Sequence, residues 1–137
     1  MRDSAQLAKF LVDIRDAVAR IRQVLPADAE AFAADRTVRE VVVLNLFVAL
    51  QDCLSIATHR LAELRLDVPP AYRGVFTALG ERGLVSRDLA HRLAAASGLR
   101  NLIAQRYGVL DLKRIHEIAY TQLDDLLAFC DEIERAP

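Results

Sequence analysis

Four polar residues near one end of a helix-like segment are the candidates for chemistry in this chain. They are Arg100, Asn101, Gln105 and Tyr107, and they follow Gly98 in an otherwise apolar run. On a helix, Asn101 and Gln105 are neighbours on one face because they are four positions apart. Arg100 and Tyr107 are seven apart and return to nearly the same face, about 10 Å along the axis. The group could bind an anionic ligand, or it could form ordinary hydrogen bonds along a polar helix edge.

The spacing of these residues limits how they can meet. Arg100 and Gln105 are five positions apart, roughly 140° around a helix, so they cannot touch within one straight helix. A site that uses both requires them to converge across a dimer or at a frayed helix end. Gly98 in mid-helix costs about 1 kcal/mol relative to Ala. We therefore expect it to permit close approach of a second backbone, or to mark a bend.

Charge is distributed unevenly, although the net charge is only −1. Residues 86–107 contain four arginines and one aspartate, whereas residues 111–135 contain three basic and seven acidic side chains. The domain as a whole lacks the basic footprint of many nucleic-acid-binding proteins. An anionic ligand would meet the first of these segments, unless both are simply solvated helix faces.

Apolar periodicity predicts five helices and no strands. The helices are expected over about 4–24, 35 or 36–66, 71–82, 86–107 and 111–135, with Ser86 as the cap of the fourth. Gly108 suits the left-handed residue that follows the last turn of that helix. The sequence thus predicts a single domain over residues 1–137, an all-α up-and-down bundle with short connections.

Composition bounds the class of protein further. The chain is 53% hydrophobic with a mean hydropathy of +0.17, and we expect some of this apolar excess to lie between subunits. The longest apolar run, Val41–Leu50, is too short for the roughly 20 residues that cross a bilayer. Without a signal-peptide pattern, we expect a cytoplasmic protein with no membrane association. Cys53 and Cys130 are expected as buried free thiols, and no Cys/His spacing predicts zinc.

A second polar group lies on the long, apolar second helix. Asn45, Asp52 and His59 are spaced by seven and form one narrow stripe. Either His59 is oriented by a carboxylate and supplies a titrating group, or the stripe packs against a neighbouring helix or subunit. The remaining aromatic candidates have structural interpretations: His91 and His116 are expected to face solvent, and Tyr72 and Tyr120 are expected to pack.

The segment from Gly98 to Tyr107 resembles the R-N-x-x-x-H-x-Y motif of HEPN-fold proteins, specifically the HepT-like toxins of bacterial toxin–antitoxin pairs. The similarity extends over about residues 37–135. It includes Asn45-Leu46, Leu54-Ser55-Ile56-Ala57, Val68-Pro69, the Leu79 to Leu84 turn and the apolar final helix. The sequence departs from the motif at one position, since Gln105 stands where the family has histidine.

The resemblance implies a homodimer whose two motif helices face a shared cleft that binds RNA phosphates. It implies that Arg100 contacts the scissile phosphate, that Asn101 is the polar residue beside it, and that Gln105 occupies the histidine position. Tyr107 matches the tyrosine that nucleotidyltransferase antitoxins of the MNT class modify with AMP. Cleavage in the family is metal-independent, so neither a metal nor another cofactor is expected.

Gln105 decides whether the chain can be an enzyme. Imidazole suits proton transfer at the ribose 2′-hydroxyl because its pKa lies near neutrality. A glutamine amide does not titrate, and loss of a general acid or base lowers a rate by about 10²- to 10⁴-fold. The sequence predicts the toxin of a HepT/MNT-type module, an endoribonuclease-type protein that binds RNA with weakened or absent cleavage. The alternative is a non-enzymatic helical dimer, the partner and AMP-modification substrate of a nucleotidyltransferase.

Overall fold

The computed structural model describes residues 4–105 and 111–136, and at positions 97 and 99–105 the helical backbone alone. Within these ranges the chain forms seven helices and no strand. The helices are α1 (Ser4–Val24), α2 (Ala29–Ala34), α3 (Arg36–Glu63), α4 (Tyr72–Glu81), α5 (Arg87–Gln105), α6 (Leu112–Thr121) and α7 (Leu123–Arg135). The predicted all-α bundle is confirmed, with two more helices than the sequence indicated.

Local hydrogen bonds explain where several helices begin and end. The Asp35 carboxylate accepts a hydrogen bond from the backbone N–H of Val38 at 3.2 Å and caps α3. The Ser86 hydroxyl accepts one from the N–H of Leu89 at 3.2 Å, so the cap predicted for this helix is confirmed. Gly83 follows α4 with φ of 73°, a left-handed conformation that glycine adopts without strain.

The sequence prediction has no helix at α2, where it places a connection. Asp28 caps this helix by accepting a hydrogen bond from the N–H of Glu30 at 3.2 Å. Phe32 is fully buried and joins the core. Six residues make fewer than two turns, so the helix is too short to show apolar periodicity.

The single predicted helix over residues 111–135 is divided at Gln122 into α6 and α7. The Thr121 hydroxyl donates to the carbonyl of Glu117 at 2.7 Å, a contact that weakens and bends helices. Gln122 leaves helical geometry with φ of −112°, and Leu123 is buried beyond it. The apolar spacing continues across the break and therefore hides it in the sequence.

The core is organised around α3, which contacts α1, α4, α5 and α7 as well as the shorter helices. Its buried residues are Val42, Leu46, Ala49, Leu50, Cys53, Leu54, Ile56, Ala57 and Leu61. Val43 and Phe47, which flank this set, are half-buried, and Leu64, just beyond the helix, is exposed. Among the described helices, α3 is also the one whose length and composition would suit a membrane span, a property that core helices of soluble proteins share.

The acidic final segment lies against arginines from elsewhere in the chain. The pairs are Arg15 with Asp131 and Glu134, Arg22 with Asp124, and Arg92 with Asp125, and Arg92 also pairs with Asp88 of its own helix. Each exposed pair contributes little to stability by itself. Their effect is on the surface potential, because the predicted separation of basic and acidic segments is partly cancelled on folding.

The polar stripe on α3 does not form one site. The Asn45 amide donates to the carbonyl of Val41 in its own helix at 2.8 Å, and His59 is exposed. Asp52 instead faces α1, where it is within electrostatic range of Lys9 and Asp13. The hypothesis that a carboxylate of this stripe orients His59 is therefore not supported. The packing interpretation holds for Asp52 alone.

Burial, and to a smaller extent the neighbouring Asp13 carboxylate, raise the pKa of Asp52 to a net value of about 6, with Lys9 acting in the opposite direction. The raised value means that the folded state binds a proton more tightly than the unfolded chain does. The contribution of Asp52 to stability is therefore fully present below its ordinary pKa of 3.8 and is lost as pH rises through about 6.

The substitution Gly80→Ala tests the close packing of α4 on α5. An added Cβ at Gly80 would lie 2.6 Å from Cβ of Ala90 and 3.5 Å from Cα of Arg87. We expect overpacking to lower the free energy of unfolding by about 1–3 kcal/mol, measured by urea denaturation. Gly98→Ala is the matched control, because an added Cβ there meets nothing within 4 Å. An equal free energy of unfolding for Gly80→Ala and the parent chain would show that α4 and α5 can move apart enough to accept the methyl group without loss of stability.

The substitution Asp52→Asn tests the raised pKa. It removes an ionised, partly buried carboxylate at neutral pH, so we expect it to stabilise the fold at pH 7 by up to about 1 kcal/mol after solvent screening. At pH 4 the gain should disappear because Asp52 is then protonated in the folded chain. Thermal unfolding at the two pH values measures the difference, with exposed Asp16→Asn as the control. A gain that is the same at both pH values would contradict the assignment.

Candidate functional site

The motif lies in the last two turns of α5. Arg100, Asn101 and Gln105 all fall within the helical backbone, which agrees with the helix predicted there. Tyr107 and the helix end predicted at Gly108 lie outside the described residues. The roles assigned to Arg100, Asn101, Gln105 and Tyr107 therefore stay predictions, placed on a helix whose earlier turns are described in full.

The helical register determines which motif positions adjoin the described part of α5. At 100° per residue, positions 94, 98, 101 and 105 fall within an arc of about 60° and form one line along the helix. Position 100 lies about 130° from the centre of that line. Asn101 and Gln105 thus continue the face that begins at Ala94 and Gly98. Arg100 belongs to a different face, as its spacing predicted.

A groove of about 260 Å³ opens on this same face, between the start of α4 and the middle of α5. Its lining comprises Pro70, Ala71, Tyr72, Arg73, Ala94, Ala95 and Gly98. An added Cβ at Gly98 meets nothing within 4 Å, so no described backbone approaches this glycine closely. Gly98 therefore forms part of an open floor within the described chain, and close approach of a backbone from a second subunit stays a prediction.

Arg73 is a polar group at this groove that the sequence did not single out. Its side chain is exposed, and it forms no ion pair with any described residue. Arg92, by contrast, is held by Asp88 and Asp125 and supplies little free charge. Tyr72 is half-buried against the core, as expected of a packing residue.

Arg73 could have been found from the hairpin formed by α4 and α5. The close pair Gly80 and Ala90 fixes the antiparallel register, and residues equally distant from the connecting turn then face each other. Position 73 falls opposite position 97, one residue before Gly98. The short turn between α4 and α5 restricts this register, but the facing positions follow only once the contact of Gly80 with Ala90 is known.

His91 is distant from the motif, and His116 is engaged elsewhere in the fold. His91 is exposed, as predicted, but it precedes Gln105 by fourteen positions, about 21 Å along the helix axis. The prediction that His116 faces solvent is wrong, because its side chain is buried and its Nε2 lies 2.8 Å from the carbonyl oxygen of Pro26. The His116 ring also stacks on Tyr120, which is exposed rather than packed in the core.

The thiols do not provide a nucleophile. Cys53 and Cys130 are both buried and free, as predicted. Burial raises the pKa of the Cys130 thiol to about 11 and that of Cys53 well above its usual value, so both are neutral at pH 7. Among residues 4–105 and 111–136, no three His, Cys, Asp or Glu side chains are grouped as ligands for a metal ion.

A larger open cavity, of about 690 Å³, lies at the opposite end of α5. It is lined by the turn after α4 and by α7, and the Glu132 carboxylate there accepts a hydrogen bond from the N–H of Ser86 at 2.6 Å. This cavity starts near Arg87, about 27 Å along the helix from Gln105, so it is separate from the motif.

Comparison with known proteins agrees with this arrangement. The sequence model of the family described as Ribonuclease HepT-like matches residues 14–133. The mRNA nuclease HepT of Shewanella oneidensis is 31% identical over 124 residues, which cover 90% of this chain and 92% of that protein.

Two solved structures have the same fold. One is a tri-AMPylated HEPN toxin of Shewanella oneidensis in complex with an MNT antitoxin, with TM-score 0.83, 30% identity and coverage of 93% and 96% of the two chains. The other is a toxin–antitoxin complex with AMP-PNP, with TM-score 0.84, 29% identity and the same coverage. With the family match over nearly the whole chain, these likenesses show that the protein belongs to the HepT-like family.

Proposed function

We propose that this chain is the toxin component of a HepT/MNT-type toxin–antitoxin module, an RNA-binding protein built on an endoribonuclease scaffold. The observation that carries the proposal is the family match over residues 14–133, which includes Arg100 and Asn101 in the last turns of α5. The relative named as an mRNA nuclease, and the relatives crystallised as toxin–antitoxin complexes, support the same function.

In the proposed site, Arg100 binds the scissile phosphate and stabilises the charge that develops on it. Guanidinium groups suit this role because they pair with phosphate oxygens through two parallel hydrogen bonds. Asn101 is the polar residue beside Arg100 in the motif, at a position on the face of α5 that it shares with Gln105. The reaction uses the ribose 2′-hydroxyl as its nucleophile, so the proposal includes no metal ion and no organic cofactor.

With glutamine at position 105, we expect RNA binding to be retained better than RNA cleavage. Its amide can hold a phosphate oxygen or a water molecule, but it cannot accept a proton from the 2′-hydroxyl at neutral pH. His91 is too far along α5 to replace it, and the buried ring of His116 is engaged by the carbonyl of Pro26. We therefore propose weakened cleavage with retained RNA binding.

The Gln105→His substitution tests this proposal. It restores a titrating group at the motif position, so we expect RNA cleavage to rise by about 10²- to 10⁴-fold. Cleavage of a labelled RNA by the parent chain, Gln105→His and the double variant Gln105→His/Arg100→Ala measures the effect. The double variant controls for contaminating nucleases and should lose the gain. No rise in cleavage by Gln105→His, with RNA still bound, would count against an endoribonuclease scaffold.

The presence of Gln105 favours a second function, one that does not require a histidine at this position. In this hypothesis the chain is a non-enzymatic dimer, the partner and modification substrate of an MNT-class nucleotidyltransferase. The tri-AMPylated relative in complex with an MNT antitoxin supports it. AMP on Tyr107 would add negative charge about two turns from Arg100 and compete with RNA phosphate for the guanidinium.

The modification is testable by mass spectrometry. Incubation with the cognate nucleotidyltransferase and ATP should add one or more AMP units to the parent chain. Tyr107→Phe should abolish the increments because the acceptor hydroxyl is gone, whereas the control Tyr120→Phe, at an exposed ring on α6, should retain them. An unmodified parent chain, or a Tyr107→Phe chain modified as fully as the parent, would exclude this role for Tyr107.

The RNA site uses both Arg100 and Gln105, which diverge on one straight helix and must converge across a dimer or at a frayed helix end. We propose a homodimer in which α5 of each subunit borders a shared cleft. Exposed apolar residues such as Leu44 and Val48 on α3 are available to bury surface between subunits. We place the module in the cytoplasm, where its RNA substrate occurs and where two free thiols stay reduced.

A further inference from the structure

The groove between α4 and α5 combines an open floor of small residues with an exposed arginine on its wall. Its floor is made by Ala94, Ala95 and Gly98, and an added Cβ at Gly98 meets nothing within 4 Å. At the other end of the same hairpin the helices are in tight contact, with Gly80 against Ala90. A gap therefore opens between the two helices on the side of Gly98, with Tyr72 and Arg73 on its other wall.

Arg73 is the charged group of this groove. Arg15, Arg22 and Arg92 each lie against acidic side chains of α7. Arg73 is exposed and forms no ion pair with any residue in the described ranges. The groove residues that the structure describes include no carboxylate. A guanidinium in this setting is available to an anion from outside the chain.

The groove leads directly to the motif. Gly98, Asn101 and Gln105 share one face of α5, and position 105 is about 10 Å beyond Gly98 along the axis. That separation corresponds to about three stacked nucleotides at about 3.4 Å each. A strand held at Arg73 would thus reach the motif within a few nucleotides. The volume of about 260 Å³ is just below the range of about 300–1,000 Å³ typical of small-ligand pockets, which suits one unit of a longer polymer.

We infer that the α4–α5 groove binds the RNA strand next to the scissile linkage, with Arg73 holding a flanking phosphate and Gly98 leaving room for the nucleotide. This rests on the proposed RNA-binding function and adds a positioning residue from a helix that carries none of the motif. The free cation and the open floor favour an anionic polymer over a second copy of the chain, whose docking would leave the Arg73 charge to be desolvated.

The experiment measures binding of a fluorescein-labelled single-stranded RNA of roughly 12 nucleotides by anisotropy, over a series of salt concentrations and with the full chain. Arg73→Gln should weaken binding about 5- to 10-fold in low salt. It should also reduce the slope of log affinity against log salt by about 0.7, the loss of one phosphate contact to a single strand. Arg82→Gln is the matched control, since Arg82 is an exposed arginine at the opposite end of α4.

A second variant tests the space rather than the charge. Gly98→Leu fills the groove without meeting other described atoms at its Cβ, so thermal unfolding should show a folded chain. We expect weaker RNA binding with an unchanged salt slope, because no charge is removed. Sedimentation of the same sample reports the oligomeric state, which should equal that of the parent chain.

The outcomes separate this inference from the proposed function. If the parent chain binds RNA and Arg100→Ala weakens binding while Arg73→Gln and Gly98→Leu do not, the groove inference is wrong and the proposed function stands. If the parent chain binds no RNA, both are wrong. If Gly98→Leu turns a dimer into a monomer, the groove is an interface between copies of the chain and not an RNA path.

Discussion

The burial of α3 is the constraint on which the rest of the bundle depends. Its buried residues span an arc of about 160° around the helix axis, and several helices share in covering them. α1, α4, α5 and α7 together remove this apolar surface from water, and at roughly 25 cal/mol per Å² the burial is the dominant favourable term. The position of α5 follows from this coverage and from its packing on α4.

Charge is arranged in a complementary way around that core. The acidic side chains of α7 lie beside arginines of α1 and α5, so much of the positive charge near the start of α5 is already neutralised. The cations left without an acidic partner, among the described residues, include Arg73 at the α4–α5 groove. A chain whose net charge is only −1 can in this way present a local positive charge at the α4–α5 groove, although the domain as a whole is not basic.

Much of the fold could be predicted because α1, α3, α4 and α5 have long apolar repeats and clear boundary signals. Ser86 and Gly83 mark their boundaries by local chemistry that the sequence displays. α2 could not be predicted because a six-residue helix has too few turns to show a period. The break at Gln122 could not be predicted because the apolar pattern continues through it. His116 shows the same limit: its neighbours in sequence are charged, but α2 is packed over it.

The site was predictable to a different degree. The helical placement of Arg100, Asn101 and Gln105 followed from periodicity, and their roles followed from family resemblance. Arg73 depends on the pairing of two helices, which a single sequence does not display. The burial of His116 and its contact with the carbonyl of Pro26 also required the structure, since its sequence neighbours predict a solvent-facing ring.

The central claim is that a titrating group has been lost from a ribonuclease scaffold that still binds RNA. The pH dependence of single-turnover RNA cleavage by the unmodified sequence tests it most directly. We expect slow cleavage that shows no optimum between pH 5 and 8, because a glutamine amide has no ionisation in that range. Rapid cleavage with a bell-shaped optimum near neutrality, abolished by Arg100→Ala, would contradict the claim and show that another imidazole completes the site.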